Sequence, residues 1–419
     1  MPTNDPTIKI NKFLGINNRG RGEELKPGEL RKAQNVDLTN TNKLRQRPGY
    51  ELLQSGKRHS LWSAFGDTVG YVVQGDTLYS VDEDGTEVTL QSGFTLDARM
   101  SFAEVNSDIY FSNGYEKGII QDGAVENWGL PVPQAPTVET GAGALPAGDY
   151  QVCITYANAA GEESGACEAQ LVTLLETAGI YVSDIVYLGD AVEARVYITQ
   201  LNGDIFYEAE RTVTSLASVL NGIYGAPLRT QHITPPEPAS IVRYYNGRIY
   251  MAVGKVIWYT EALAYGQVRR AANFFYFSED VSMMEFVDGG MVVSADQTYF
   301  LAGEDAPQMK LKKASSSKAL WYTGMNVDAS DFGEGEGQGT MAVWMSDRGF
   351  AVAFPTGEVQ LLSEKKVSFP VSREGAMAFV KRDGLLQFLS TLKEPIDDVQ
   401  TFAMGDRVTV EVRRNGVVI

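Results

Sequence analysis

The chain of 419 residues is 44% hydrophobic, enough for one large β architecture or for two to three domains of ordinary size. No apolar run approaches the roughly 20 residues of a spanning helix, and the polar start MPTNDPTIKI lacks a basic-then-apolar leader; the expectation is a chain with no membrane span, kept in a cytosol or packaged from one. The formal net charge of -17 argues against a body that grips nucleic acid by neutralising phosphates, which needs a basic face.

The charge is uneven. Residues 1–60 carry 12 Lys/Arg against 6 Asp/Glu, so the basic arm stands apart from a strongly acidic remainder. The arm, residues 1–57, contains KFLGINNRGRGEELKPGELRKAQNVDLTNTNKLRQRPGYELL. It reads as an extended start, a helix-sized piece at Lys26 to Leu30, then the strand-turn-strand NVDLTNTNKLRQRPGY, whose hairpin is closed by Arg45, Arg47 and Pro48. Lys9, Lys12, Arg19, Arg21, Arg31, Lys32, Arg45 and Arg47 are its candidate assembly contacts, to be met by acidic residues of a neighbour. A solvated basic surface is the plain alternative.

Beyond the arm, helical periodicity is almost absent. Short runs rich in Val, Tyr, Phe and Thr alternate apolar with polar residues between Gly-containing turns, the pattern of antiparallel hairpins. Residues 61–90 predict one four-stranded meander with turns at Gly66-Asp67, Gly75-Asp76 and Asp84-Gly85. Residues 100–128 repeat the plan, and residues 240–260 resume it with the strong hairpin signal Asn246-Gly247. Looser copies follow at 285–303, 342–363 and 378–390. Meanders recurring every 30 to 45 residues predict an all-β fold, a β-propeller of about six blades, at 58–130 and 237–419. Residues 35–53 are expected to complete the last blade beside Arg407 to Ile419.

The series is interrupted at 131–236. PVPQAP and TPPEP bracket about 100 residues of different rhythm, which predict an inserted fibronectin III-like or immunoglobulin-like β-sandwich held at a defined angle. Its Cys153 and Cys167 flank a Gly-containing turn. A cross-strand disulfide between them is conceivable, and two free, half-buried thiols are the expected state.

Chemistry finds little purchase. His59 and His232 sit in connecting segments, and no nucleophile elbow, phosphate loop, HExxH or zinc spacing occurs, so no catalytic residue, metal site or cofactor is expected. VDEDGTEV (81–88) approaches an Asp-box turn but places Asp84 where glycine is required. Glu334 and Glu336 lie in an acidic Gly-rich loop, and the strand aromatics such as Trp62, Tyr71, Tyr250 and Trp344 read as core.

FLGINN, then LKPGELRKAQNVDL, then KLRQRPGY, followed by the first blades and the insertion, resemble the tail hub or nozzle proteins of short-tailed bacteriophages, the group that includes packaged-DNA stabilisation proteins. The resemblance implies a virion tail subunit made in the host cytoplasm, a homo-oligomeric ring of six copies below the portal and adaptor. It would carry tail fibre or tip proteins, retain packaged double-stranded DNA and let it pass at ejection along an acidic wall. A carbohydrate-binding or glycan-cleaving propeller using Asp82, Asp84, Asp288 and Asp296, and a cellular propeller scaffold, are the competing readings.

Overall fold

The computed structural model describes residues 12–39, 41–49, 52–64, 68–332, 338–382, 385–393, 399–404, 407–414 and 417–418. Half of the chain is strand and 2% is helix, so the all-β expectation holds. It divides into two compact units, Gln54–Tyr276 and Met1–Leu53 with Phe277–Ile419.

The unit Gln54–Tyr276 holds three four-stranded antiparallel meanders. The first runs Arg58–Ser63, Val69–Gln74, Thr77–Asp82 and Glu87–Ser92. The second runs Ser101–Val105, Asp108–Ser112, Lys117–Gln121 and Ala124–Glu126, and the third Ile241–Tyr245, Arg248–Val253, Val256–Tyr259 and Phe274–Tyr276. Their tight turns are built where both central residues accept a left-handed backbone: Asn106 and Ser107 at φ 52° and 73°, Asn246 and Gly247 at 45° and 76°.

A strand shows alternate residues to opposite faces, and the second meander uses both. Phe102, Ile109 and Phe111 pack with Val73 and Leu78 of the first meander. Ala103, Val105 and Tyr110 pack with Val242, Ile249 and Met251 of the third. Serine hydroxyls fasten the same joints: Ser60 Oγ accepts the Met100 N–H at 2.8 Å, Ser101 Oγ that of Val242 at 3.0 Å, and Ser112 Oγ that of Ala239 at 2.8 Å. The last two bonds join consecutive meanders across the insertion, so the interruption of the chain does not interrupt the stack.

The other unit repeats the arrangement. Met283–Val287, Gly290–Ser294, Thr298–Ala302 and Lys310–Ser315 form one meander; Met325–Asp328, Thr340–Ser346, Gly349–Ala353 and Val359–Leu361 form the next. Ala342 and Trp344 face the earlier meander, against Met283, Val292 and Phe300. Met341 and Val343 face the other way, toward Met377, Phe379 and Phe388 of the hairpin Glu374–Arg382/Leu385–Lys393. Ser294 Oγ accepts the Ala319 N–H at 2.8 Å, the counterpart of the Ser112–Ala239 bond.

Several expectations are refined. The stretch 378–390 belongs to a two-stranded sheet, and the outer strands Phe274–Tyr276 and Lys310–Ser315 lie beyond the runs read as meanders. Lys310–Ser315 is largely exposed and lysine-rich, as suits an edge that must not recruit another chain. Val36–Leu38 pairs with Leu44–Gln46, and Arg407–Arg414 with Val399–Met404. Among the described residues 35–53 and 407–419 do not pair with one another. The turn at Gly66-Asp67, with Glu334 and Glu336, lies outside the described residues.

Within the first unit the insertion forms two sheets. Thr137–Leu145, Ala178–Ser183 and Ala217–Val219 make one; Gln170–Leu174, Gly148–Asn158, Ala191–Thr199 and Phe206–Thr212 make the other. Leu145, Ile180 and Val182 of the first share a core with Tyr150, Ile154, Val196 and Ile198 of the second, and the apolar area they remove from water holds the layers together. Thr137–Leu145 carries no strand signature because Gly141 and Gly143 interrupt it. A Cβ on Gly143 would sit 2.3 Å from the Gly179 Cα, so this close backbone approach demands the missing side chain. At the base, the Gln267 side chain donates to the Glu163 carbonyl at 2.7 Å, and Thr234 and Val268 exchange backbone hydrogen bonds at 3.0 and 2.8 Å.

Candidate functional site

The arm is folded back on its own unit. Gly15–Ile16 pairs in parallel with Glu29–Leu30, in place of the helix-sized piece expected at 26–30. A helix fails there because Pro27 and Gly28 oppose it and because Gly28 stands at φ +96°. A Cβ on Gly28 would lie 2.4 Å from the Lys12 carbonyl oxygen. One 3₁₀ turn, Gly22–Glu24, sits between the two strands.

Distant polar groups fasten this fold. Asn18 Oδ1 accepts the Ser368 N–H at 2.6 Å, its Nδ2 donates to the Ser368 carbonyl at 2.9 Å, and its N–H reaches the Lys366 carbonyl at 3.0 Å. The Glu29 carboxylate accepts from Asn17 Nδ2 at 3.0 Å and pairs with Lys366 Nζ at 3.3 Å. Asn17 first, then the Lys26 N–H and Lys366, hold the Glu29 carboxyl below the usual carboxylate range. No sequence signal pointed to Lys366 or Ser368, because side chains more than 330 residues apart leave no local pattern.

The eight candidate contacts do not share one environment. Arg47 Nε is 2.9 Å from the buried Asp37 carboxylate, which ties the second strand of the hairpin to the first. Arg45, on that strand, is half-buried. Lys12, Arg19, Arg21, Arg31 and Lys32 are exposed, and Lys9 lies outside the described residues. The parallel pairing brings Arg19 and Arg21, which follow one strand, to the same end as Arg31 and Lys32, which follow the other. A Cβ on Gly22 would lie 3.6 Å from Arg31 Nη1. Lys12 sits at the opposite end.

Of the four carboxylates named for sugar chemistry, Asp84, Asp288 and Asp296 are held by their own turns and joints, and Asp82 is exposed. The backbone of Asp82 closes the turn to Gly85 and Thr86, and Asp84 Oδ1 accepts the Thr86 N–H at 2.9 Å. Asp288 Oδ1 accepts the Thr340 N–H at 3.0 Å. Asp296 accepts from the Tyr299 hydroxyl at 3.0 Å; burial raises its carboxyl, but the hydrogen bonds from Ser278 and Tyr299 outweigh this and lower it. Among the described residues no group of three or more His, Cys, Asp and Glu could hold a metal ion.

Cys153 and Cys167 are free thiols, and they are buried, not half-buried as expected. They line a cleft of about 390 Å³ with Val132, Phe206, His232 and Ile233. Burial pushes both thiols up, which disfavours the reactive thiolate. His232 is exposed at φ +61°, and His59 Nδ1 lies 2.9 Å from Ser60 Oγ with its imidazolium form disfavoured by burial and by Arg99. Nothing in the sequence singled out Lys117. Burial lowers its ammonium to about 8, its Nζ donates to the Trp128 carbonyl, and the Trp128 ring centroid is 5.8 Å away.

No helix among the described residues is long and apolar enough to cross a membrane. No family model matches the chain, and no curated protein matches it. Similar solved structures include the BBS1N–ARL6DN complex, at 11% identity and TM-score 0.33, over 80% of this chain and 89% of that one. Citrobacter koseri AztD follows at 10% identity and TM-score 0.28, over 72% and 85%. Saccharomyces cerevisiae Sqt1 is 10% identical with TM-score 0.21, over 70% and 94%. These are β-propeller proteins of varied function, and at such TM-scores they say nothing about what this chain binds.

Proposed function

We propose that the chain is a non-enzymatic structural subunit of a short bacteriophage tail, a hub or nozzle protein found in the virion. The face-to-face succession of meanders in both units carries this reading, joined to the resemblance of the arm and first meanders to that group. In it the meanders are the blades of one closed propeller of about six blades, and the two-sheet insertion is a fibronectin III-like or immunoglobulin-like side domain. Closure removes sheet edges that would otherwise recruit other chains. Copies form a ring, six in number, that extends the DNA channel below the portal and adaptor and carries fibre or tip proteins. The acidic surface supports passage of DNA, since like charge repels phosphates and lets the duplex slide.

The carbohydrate reading draws no support from Asp84, Asp288 and Asp296, whose oxygens already accept hydrogen bonds that hold turns and joints. The test is electron microscopy of the purified protein alone and incubated with tails lacking it. Rings, and restored DNA retention in those tails, are the expected result; measurable glycan turnover by the purified chain, with no incorporation into tails, overturns it.

A further inference from the structure

Along the sequence the arm is a string of cations, but folding selects a subset of them and adds one more. Arg19 and Arg21 leave one parallel strand, Arg31 and Lys32 leave its partner, and the register of Ile16 with Leu30 sets them side by side. The segment 363–368 closes over the same end, because the N–H groups of Asn18 and Arg19 reach the Lys366 carbonyl at 3.0 and 3.4 Å. That contact brings Lys365, far away in sequence, to the patch. All five cations are exposed. Lys366 is spent on Glu29, and Glu364 lies 3.6 Å from Arg348. Glu23 and Glu24, exposed on the 3₁₀ turn, are the carboxylates of the patch itself.

The second meander supplies a surface of opposite sign. Its turns at 106–107 and 122–123 lie at one end of the sheet, since Asp108 pairs with Val105 and Gln121 with Ala124. Asp108 and Asp122 lie at that end and Glu104 one residue in from it, with Asp108 Oδ2 accepting from Gln121 Nε2 at 2.9 Å. The one basic residue of these four strands, Lys117, starts its strand at the opposite end and is turned into the Trp128 contact.

We infer that the patch of Arg19, Arg21, Arg31, Lys32 and Lys365 docks on the acidic rim of Glu104, Asp108 and Asp122 of a second copy of this chain. This rests on the ring-forming reading above and names the surfaces that make the ring. Two different patches on each copy give a head-to-tail contact, which closes into a ring when the rotation between copies allows it. Guanidinium groups match carboxylates in forked geometry, so three arginines suit a carboxylate rim. Duplex DNA is the weaker occupant, because the rest of the chain is strongly acidic and repels a polyphosphate at long range.

The experiment uses the full chain in three forms: unaltered, patch-reversed (Arg19→Glu with Arg31→Glu) and rim-reversed (Asp122→Lys with Glu104→Lys). Sedimentation velocity at low and high salt reads association, and thermal unfolding verifies that each form folds. The unaltered chain should associate, more weakly at high salt, and each reversed form should lose about tenfold or more in self-affinity. Mixing the two reversed forms should restore association, because each then meets its opposite. Association that neither reversal changes overturns this interface and leaves the ring reading standing. An unaltered chain that stays monomeric, alone and on tails, overturns both. A patch that binds a short DNA duplex, lost in the patch-reversed form while association persists unchanged, assigns it to nucleic acid and overturns the proposal.

Discussion

The meanders and the arm are held by different physics. In the meander Met325–Leu361, Trp344, Val343 and Met341 are almost wholly buried, and one short strand feeds two interfaces through its period of two. In the arm the binding contacts are polar: Asn18 to Ser368 and Lys366 to Glu29 reach across the chain, and Arg47 to Asp37 ties the arm's own hairpin. The first kind of order is written locally and is expensive to remove. The second is conditional on a distant segment, contributes little to global stability, and leaves charge on the surface for use.

The comparison predicts a hierarchy of effects, headed by Trp344→Ala. Emptying that site should cost about 3–5 kcal/mol in denaturant unfolding; a loss below about 1 kcal/mol would mean the meander faces are loosely packed. Next comes the pH dependence of Lys117. Its folded-state value, about 8, lies below the free amine value of 10.5, so the unfolded chain holds more protons between those limits and stability rises with pH across that window. Measured as the difference between the native chain and Lys117→Met, the gain should approach about 3 kcal/mol from pH 7 to above 10. A flat difference would show that the ammonium is well solvated.

Much of the meander order was legible in the sequence. Asn246-Gly247, Asn106-Ser107 and Asp122-Gly123 marked turns because few residue pairs tolerate two left-handed positions, and the alternation around Tyr110 and Tyr250 marked the faces. Lys310–Ser315 escaped because an exposed edge strand keeps its polar residues on purpose. Thr137–Leu145 escaped because its glycines serve a close backbone approach. The candidate patch was half legible: Arg19, Arg21, Arg31 and Lys32 are dense in the sequence, whereas the diversion of Arg47 to Asp37 and the arrival of Lys365 depend on tertiary contacts.

The serine joints sharpen the comparison between the two units. Ser112→Ala and Ser294→Ala each leave a buried N–H without its acceptor, so each should cost about 1–3 kcal/mol and the two costs should agree. Unequal costs would argue that the two units are not built on one repeat. The smallest effect belongs to the arm. Asn18→Ala should change global stability by less than about 1 kcal/mol, yet limited proteolysis should cut residues 13–32 several-fold faster. Unchanged cleavage would mean that the Asn18–Ser368 contact does not hold the arm.

Electron microscopy of the purified chain reaches the central claim most directly, because face-packed meanders in both units either complete a circle or do not. A disc with an axial opening and about six sectors, arranged in rings of copies, is the predicted image. Two separate lobes joined by a strand, with neither disc nor ring, would contradict it.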